Sequence, residues 1–181
     1  MAQEMNESTR GKTRLATLGG GCFWCLEAVL EQTEGVLGIR SGYMGGQVAD
    51  PTYEQVCTKT TGHVEVVEVT FAPESLSFEG LLELFWKLHD PTTFERQGND
   101  VGPQYLSVIF FHDEVQREAA EESKRQLEAS GLYPDPVVTE IRAATTFYEA
   151  ERYHQGYYRA NQEQPYCRFV IAPKLRKLGL D

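Results

Sequence analysis

The apolar positions of this chain alternate between short runs and helical stripes. The run Leu15-Ala16-Thr17-Leu18 predicts a strand over about 13–18. After three glycines, the spacing Phe23, Leu26, Val29, Leu30 follows a helical period, which predicts a helix over about 22–34 capped by Gly35. A strand through Val36–Tyr43 ends in the Gly45-Gly46 turn, and His63–Phe71 alternates as another. Behind Ser77, the residues Phe78, Leu81, Leu82, Phe85 and Leu88 share one helical face until His89-Asp90-Pro91 stops the helix. Tyr105–Phe111 reads as an aromatic-rich strand, and Asp113 with Gln116 as a capping box for a polar helix ending at Gly131. Val137–Ile141 reads as a strand and Glu149–Tyr158 as a short helix. The stretches 45–62 and 90–104 follow no period, and irregular segments of that length in a compact domain are commonly functional.

Composition narrows the classes. With 181 residues and 41% hydrophobic content, the chain is long enough to bury a core without disulfide staples. Residues 13–181 are expected to form a single catalytic domain behind a flexible N-terminal tail, 1–12. A formal net charge of −10 leaves no basic field for nucleic acid, and the five acidic residues of Asp113–Glu122 fit a solvated helix face. No apolar stretch approaches the roughly 18 residues that span a bilayer, and the first residues are polar, so no membrane association and a cytoplasmic location are expected. In such a compartment four cysteines, at 22, 25, 57 and 167, point to catalysis or metal rather than to structural bridges. A zinc site from Cys22, Cys25, Cys57 and His63 is disfavoured because only one close cysteine pair exists; no metal is expected.

The chemistry concentrates in Gly19-Gly20-Gly21-Cys22-Phe23-Trp24-Cys25. Glycines permit a sharp turn and deliver Cys22 to a helix N-terminus, where free amides favour a thiolate and pull a cysteine pKa from about 8.5 into the range of roughly 3.5–7.5. Phe23 and Trp24 read equally as core aromatics or as an apolar clamp for a small methyl-bearing group. On the strand at 63–71, Glu65 shares a face with Val67, Val69 and Phe71, so an apolar rim raises its pKa and makes it a general acid; the alternative is a solvated carboxylate at a frayed strand end. Asp100 lies in the glycine-broken loop Gln97-Gly98-Asn99-Asp100-Val101-Gly102, where turn chemistry is the ordinary role. Tyr53 and Tyr105 carry hydroxyls suited to donate to a polarised oxygen, or are simply half-buried tyrosines.

Taken together, these segments resemble the peptide methionine sulfoxide reductase A family. The resemblance runs from about residue 13 to 172, through Gly21-Cys22-Phe23-Trp24, Ser41-Gly42-Tyr43-Met44-Gly45-Gly46, Pro51-Thr52-Tyr53-Glu54-Gln55-Val56-Cys57, Thr61-Gly62-His63-Val64-Glu65-Val66-Val67, His89-Asp90-Pro91-Thr92, Gln97–Tyr105 and Tyr153-His154-Gln155. It implies an α+β fold, a two-layer α/β sandwich around a mixed sheet with a split β-α-β (ferredoxin-like) core. It also implies reduction of the S epimer of methionine sulfoxide in oxidised proteins or peptides, and of the free amino acid, without a bound cofactor. Cys22 matches the nucleophile, Phe23 and Trp24 the pocket for the substrate methyl, and Glu65 the acid that protonates the sulfoxide oxygen. Tyr53 and Tyr105 match hydrogen-bond donors to that oxygen, and Asp100 the aspartate that organises the site. A Cys22 sulfenic acid would condense with a second thiol to a disulfide, which thioredoxin, or dithiothreitol in vitro, recycles.

The chain departs from the family pattern in three places. Val64 stands where Ala is usual and Leu106 where Arg is common, Leu106 being expected to face away from Tyr105 on a strand. The C-terminus also lacks the glycine-rich tail with two cysteines, reading Pro165-Tyr166-Cys167-Arg168-Phe169-Val170-Ile171. Two resolving thiols therefore compete. Cys167 is favoured by its position after Tyr153-His154-Gln155, although Phe169-Val170-Ile171 reads as a stiff strand; Cys25, one helical turn from Cys22, is the alternative. Cys57 is expected to be a buried structural thiol. The rival enzyme is a thioredoxin-like C-x-x-C disulfide oxidoreductase, which leaves Glu65, Asp100 and the two tyrosines without a task; a third reading is a binding module with inert thiols.

Overall fold

A computed structural model describes residues 13–180; the N-terminal tail expected at 1–12 lies outside the described residues. Six strands form the main sheet, in the order β7-β6-β1-β3-β2-β8. They are β1 (Arg14–Gly19), β2 (Val36–Met44), β3 (Val64–Phe71), β6 (Val108–Phe111), β7 (Glu140–Ala143) and β8 (Tyr148–Glu149). Every pairing is antiparallel except β6 with β7, so the sheet is mixed and the architecture α+β. A separate two-stranded ribbon joins β4 (Arg96–Gln97) to β5 (Asp100–Val101). The helices are α1 (Phe23–Leu30), α2 (Tyr53–Cys57), α3 (Phe78–Leu88), α4 (Glu114–Ala129), α5 (Tyr157–Ala160) and α6 (Ala172–Lys177).

The central strand explains how the core is divided. Side chains of Val67, Val69 and Phe71 on β3 join Leu26, Val29 and Leu30 of α1 and Leu81, Leu82 and Phe85 of α3 in the larger cluster. Complete burial of such residues contributes roughly 1.5–3 kcal/mol each. The opposite face of β3 sends Val64 and Val66 into a smaller cluster with Met44, Leu106, Val108 and Phe110.

Several elements differ from the sequence reading. The strand expected over 105–111 begins only at Val108, because Pro103–Tyr105 forms a 3-10 turn that Leu106 terminates. Leu106, expected on a strand facing away from Tyr105, instead caps that turn and is 4% exposed within the smaller cluster, together with Val64. The strand expected at 137–141 is displaced to β7, and the helix expected at 149–158 is divided into β8, a 3-10 turn at Arg152–His154 and α5, with Gly156 in the left-handed region between them. The segment read as a stiff strand, Phe169-Val170-Ile171, is part of a π-helical turn, Cys167–Ile171, that continues into α6. At α4 half of the expected capping box forms: Asp113 accepts from the Gln116 amide at 2.8 Å, while Gln116 Oε1 accepts from the amide of His112. Gln116 Nε2 reaches the Leu15 carbonyl at 2.7 Å, which fastens α4 to β1 instead.

Candidate active site

Cys22 is the N-cap of α1, in extended conformation. The turn that presents it depends on Gly21, at φ +94°; a Cβ there would lie 2.7 Å from Gln97 Cγ. Gln97 uses that space to bind both backbone groups of Asp90, accepting from its amide at 2.9 Å and donating to its carbonyl at 2.6 Å. This clamp holds the irregular stretch after α3 against the glycine turn. Across the two-stranded ribbon, Asp100 pairs in register with Gln97 and is carried to the thiols.

Glu65 lies opposite Tyr43 on the β2–β3 ladder and is 1% exposed. Its Oε1 accepts the Phe23 amide at 3.1 Å, so the carboxyl occupies the start of α1. Burial pushes its pKa up to about 8, opposed by that amide and reinforced by the charges of Asp100 and Cys25. Glu65 is thus buried rather than a solvated carboxylate at a frayed strand end, and its environment favours the neutral form.

The thiols differ from the expectation of a lowered Cys22 pKa. Burial, then a hydrogen bond with Cys25 and the charge of Glu65, push the Cys22 thiol up, against the pull of the Trp24 amide. Cys25 is held down to about 7, chiefly by its hydrogen bond with Cys22 and also by the Lys174 ammonium. The physical reason is that a thiolate on Cys22 is desolvated at this helix start and faces the Glu65 carboxyl, so the negative charge is better held on Cys25. Cys25 Sγ also lies 3.4 Å from the Tyr166 hydroxyl, which donates to Asp100 Oδ2 at 2.7 Å.

Aromatic side chains from distant segments close around α1. Phe23 is fully buried, its ring 5.1 Å from that of His154 and 5.8 Å from that of Tyr43. Half-buried Trp24 stacks on Tyr157 with centroids 3.7 Å apart and meets Tyr166 edge-on. The Trp24 indole donates to His154 Nδ1 at 3.0 Å, which leaves Nε2 carrying the proton of a ring that burial keeps neutral. Tyr53 opens α2 behind a Thr52–Gln55 capping box, and its ring lies 4.5 Å from His154. Tyr105 ends the 3-10 turn. Burial first pushes both phenols up, followed by the hydrogen bond to Cys57 at Tyr53 and by the charge of Glu65 at Tyr105, so both remain neutral donors.

A cavity of about 660 Å³ is lined by Cys22, Cys25, Asp100, Tyr166 and Lys174 among others. Phe23, Trp24, Tyr53, Tyr105 and Glu65 do not line it. The candidate residues thus flank the Cys22 turn on two sides, with Asp100 on the cavity side. Cys167 does not line the cavity either and is completely buried; Cys57 is half-buried beside Tyr53 rather than a core thiol.

Sequence reasoning gave no role to Tyr166, Tyr157, His154 or Glu27. Glu27 had a signal, since it sits among apolar residues on α1: it is 3% exposed, and accepts from the Ser41 hydroxyl at 2.5 Å and from the Gly156 amide. The Gly156 bond ties the segment carrying His154 and Tyr157 to α1, and the Ser41 bond ties β2 to it.

The family model described as "Peptide methionine sulfoxide reductase" matches residues 14–180. The chain belongs to the peptide methionine sulfoxide reductase A family. A relative named "Peptide methionine sulfoxide reductase MsrA", from Saccharolobus solfataricus, is 53% identical over 163 residues, covering 90% of this chain and 91% of the relative. Among solved structures, reduced Mxr1 from Saccharomyces cerevisiae superposes with a TM-score of 0.81 at 30% identity, over 87% of this chain and 90% of that one. The same yeast protein in complex with Trx2 has a TM-score of 0.58 at 22% identity, over 81% of this chain and 86% of that one, and shares the fold. Among the described residues no helix is long and apolar enough to cross a membrane.

Proposed function

We propose that this chain reduces methionine sulfoxide in oxidised proteins and peptides, and the free amino acid, taking the S epimer. The observation that carries the reading is the Glu65 carboxyl, buried and hydrogen-bonded at the start of the helix that Cys22 caps, where burial pushes its pKa up. Sulfoxide sulfur is electrophilic once its oxygen is protonated or hydrogen-bonded, so a proton donor and a thiolate must coexist near neutral pH. The Cys22–Cys25 pair supplies the thiolate and Glu65 the proton.

In the reaction the Cys22 thiolate attacks the substrate sulfur as Glu65 delivers its proton to the oxygen; the hydroxyl then moves from that sulfur to Cys22 Sγ as the original S–O bond and the transient S–S bond break, leaving a sulfenic acid on Cys22 and the electron pair on the sulfur of the departing methionine. Tyr53 and Tyr105 donate to the oxygen, Asp100 organises the site, and Phe23 with Trp24 forms the apolar surface for the methyl group. These groups contact three different substituents of a chiral sulfur, which favours one epimer. The sulfenic acid condenses with a second thiol, and thioredoxin reduces the disulfide; a relative of known structure forms a complex with Trx2. The site requires no metal or bound cofactor, and nucleic acid and membranes are not partners. We further read β6-β1-β3-β2 with α1 and α3 as a two-layer, split β-α-β (ferredoxin-like) core, residues 13–181 as one catalytic domain, and the location as cytoplasmic.

Single-turnover assays with separated R and S epimers of a blocked methionine sulfoxide, using dithiothreitol, test this. One methionine per enzyme from the S epimer and essentially none from the R epimer is expected. Equal rates on both would overturn the stereochemical assignment, and no methionine from either would overturn the reductase reading.

A further inference from the structure

Resting on that reductase reading, we propose that Glu27 is a positioning residue for substrate binding: through Gly156 it fixes the turn that carries His154 and Tyr157, and that turn sets the Trp24 ring in the wall for the substrate methyl. Glu27 is a carboxyl on the core side of α1, 3% exposed between Leu26 at 0% and Ala28 at 1%. Burying a carboxyl is costly unless its oxygens are hydrogen-bonded. Both are: Oε2 accepts from the Ser41 hydroxyl at 2.5 Å and Oε1 from the Gly156 amide. With its oxygens occupied inside the protein, Glu27 acts on substrate through other residues.

Gly156 is the pivot of the turn. It stands in the left-handed region at φ 62°, between the 3-10 turn Arg152–His154 and α5, so that His154 precedes it closely and Tyr157 follows it directly. These are the residues that hold the Trp24 ring: the indole donates to His154 Nδ1 at 3.0 Å, and its face stacks on Tyr157 at 3.7 Å. Trp24 and Glu27 are neighbours on one side of α1, since residues at i and i+3 of a helix adjoin. The contacts therefore close a ring, from Trp24 to the turn, from the turn to Glu27 through Gly156, and back along the helix to Trp24.

The other ties of this segment do not replace Glu27. Gln155 fastens it to β2, accepting from the Ser41 amide at 2.9 Å and donating to the Ser41 carbonyl at 2.8 Å, which sets its distance from the sheet. Arg159 meets Glu31 of α1's end at 3.2 Å, but the guanidinium is 72% exposed, and such surface pairs hold geometry weakly. Glu27 is the buried polar link between the turn and the helix behind Trp24.

The support of the oxygen donor runs by a separate route. Glu151 accepts from the Tyr53 amide at 3.1 Å and is itself anchored by the Tyr43 hydroxyl at 3.1 Å, so Tyr53 does not depend on the Glu27 bond. Cys22 is the N-cap of α1 and Glu65 belongs to β3, and both keep their places if the turn shifts. Loss of Glu27 therefore weakens binding of the sulfoxide and spares the chemical step.

Single-turnover methionine release from a blocked peptide methionine sulfoxide, followed against substrate concentration with the full chain, separates the half-saturating concentration from the limiting rate. Glu27→Leu leaves the Gly156 amide and the Ser41 hydroxyl without their acceptor; the half-saturating concentration should rise about tenfold or more, with the limiting rate within about twofold of the unaltered enzyme. Glu27→Gln keeps an oxygen for the Gly156 amide and an NH2 for the Ser41 oxygen, and should restore both values. Added to Trp24→Ala, Glu27→Leu should raise the half-saturating concentration no further, because the ring it positions is gone. Glu27→Asp, which keeps the charge but falls short of Gly156 and Ser41 together, carries the same expectations in place of a Leu variant that fails to fold. An unchanged half-saturating concentration, a limiting rate that falls in step with it, or an equal rise on top of Trp24→Ala would overturn the proposal. No methionine from the unaltered enzyme would instead strike the reductase reading on which it rests.

Discussion

The Phe23 amide and the Glu65 carboxyl, 42 residues apart in sequence, meet at 3.1 Å at the start of α1. The first free amide of the helix is thereby given to Glu65 rather than to Cys22, and the next one, from Trp24, bears on Cys22. Glu65 and Cys22 are held by adjacent peptide groups of one turn.

Replacing Glu65 by Gln keeps an acceptor for the Phe23 amide but removes the transferable proton. Turnover should fall by roughly 10²–10⁴ with a smaller change in KM. In the unaltered enzyme the acid is present below its pKa, so activity should decline on the alkaline side as pH rises through about 8. The variant should lack that limb. A Glu65→Gln enzyme with a near-normal single-turnover rate would mean that the proton comes from another group.

The same raised pKa has a stability consequence. Between the ordinary value of 4.5 and about 8, folded Glu65 holds a proton that the unfolded chain has lost, so this residue makes folding less favourable as pH rises through that window. Glu65→Gln removes the effect, which is on the order of a few kcal/mol at its upper end. Thermal melts should show the variant gaining on the unaltered protein from pH 5 to pH 8. A constant difference in Tm would contradict the buried neutral acid.

Trp24→Ala removes the ring that stacks on Tyr157 at 3.7 Å and the donor that holds His154. The KM for a peptide sulfoxide should rise about tenfold or more, consistent with the ~1.5 kcal/mol upper range of an aromatic pair. Alkylation of Cys22 by iodoacetamide should change little, since the helix position is retained. Lost thiol reactivity with unaltered KM would show that Trp24 organises α1 rather than the substrate surface.

Val64 and Leu106 belong to one buried cluster, at 2% and 4% exposure. Leu106→Arg alone forces a guanidinium among Met44, Val66 and Phe110 and should cost about 3 kcal/mol or more in urea denaturation. Adding Val64→Ala provides room, and the double variant should recover part of that loss, a coupling in the 0.5–3 kcal/mol range typical of residues in contact. Strict additivity would show that the two departures from the family pattern are independent.

The sequence was most legible where one periodicity ruled. The strands over 14–19, 36–44 and 64–71 and the helix behind Ser77 follow directly from apolar spacing, and the face assigned to Glu65 follows from strand alternation. Legibility failed where partners lie far along the chain. Cys22 at a helix N-terminus has a lowered pKa by local reasoning, yet burial against Glu65 and Cys25 decides the direction. The segment around Tyr148–Tyr158 carries helical spacing, but Gly156 at φ 62° and the bonds from Glu27 and Ser41 divide it. Tyr166 offered no local signal, because its role comes from Asp100, 66 residues away.

The contacts of α1 with the C-terminal segment have a bearing on synthesis. Trp24 is bonded to a residue 130 positions later and Cys25 to one 141 positions later. A ribosome that has made the first hundred residues has produced the nucleophile, the acid and Asp100, but not the rings of His154, Tyr157 and Tyr166 that enclose them. Such long-range closure is formed late in folding. A chain that stops before His154 would hold its thiols without the rings that enclose them.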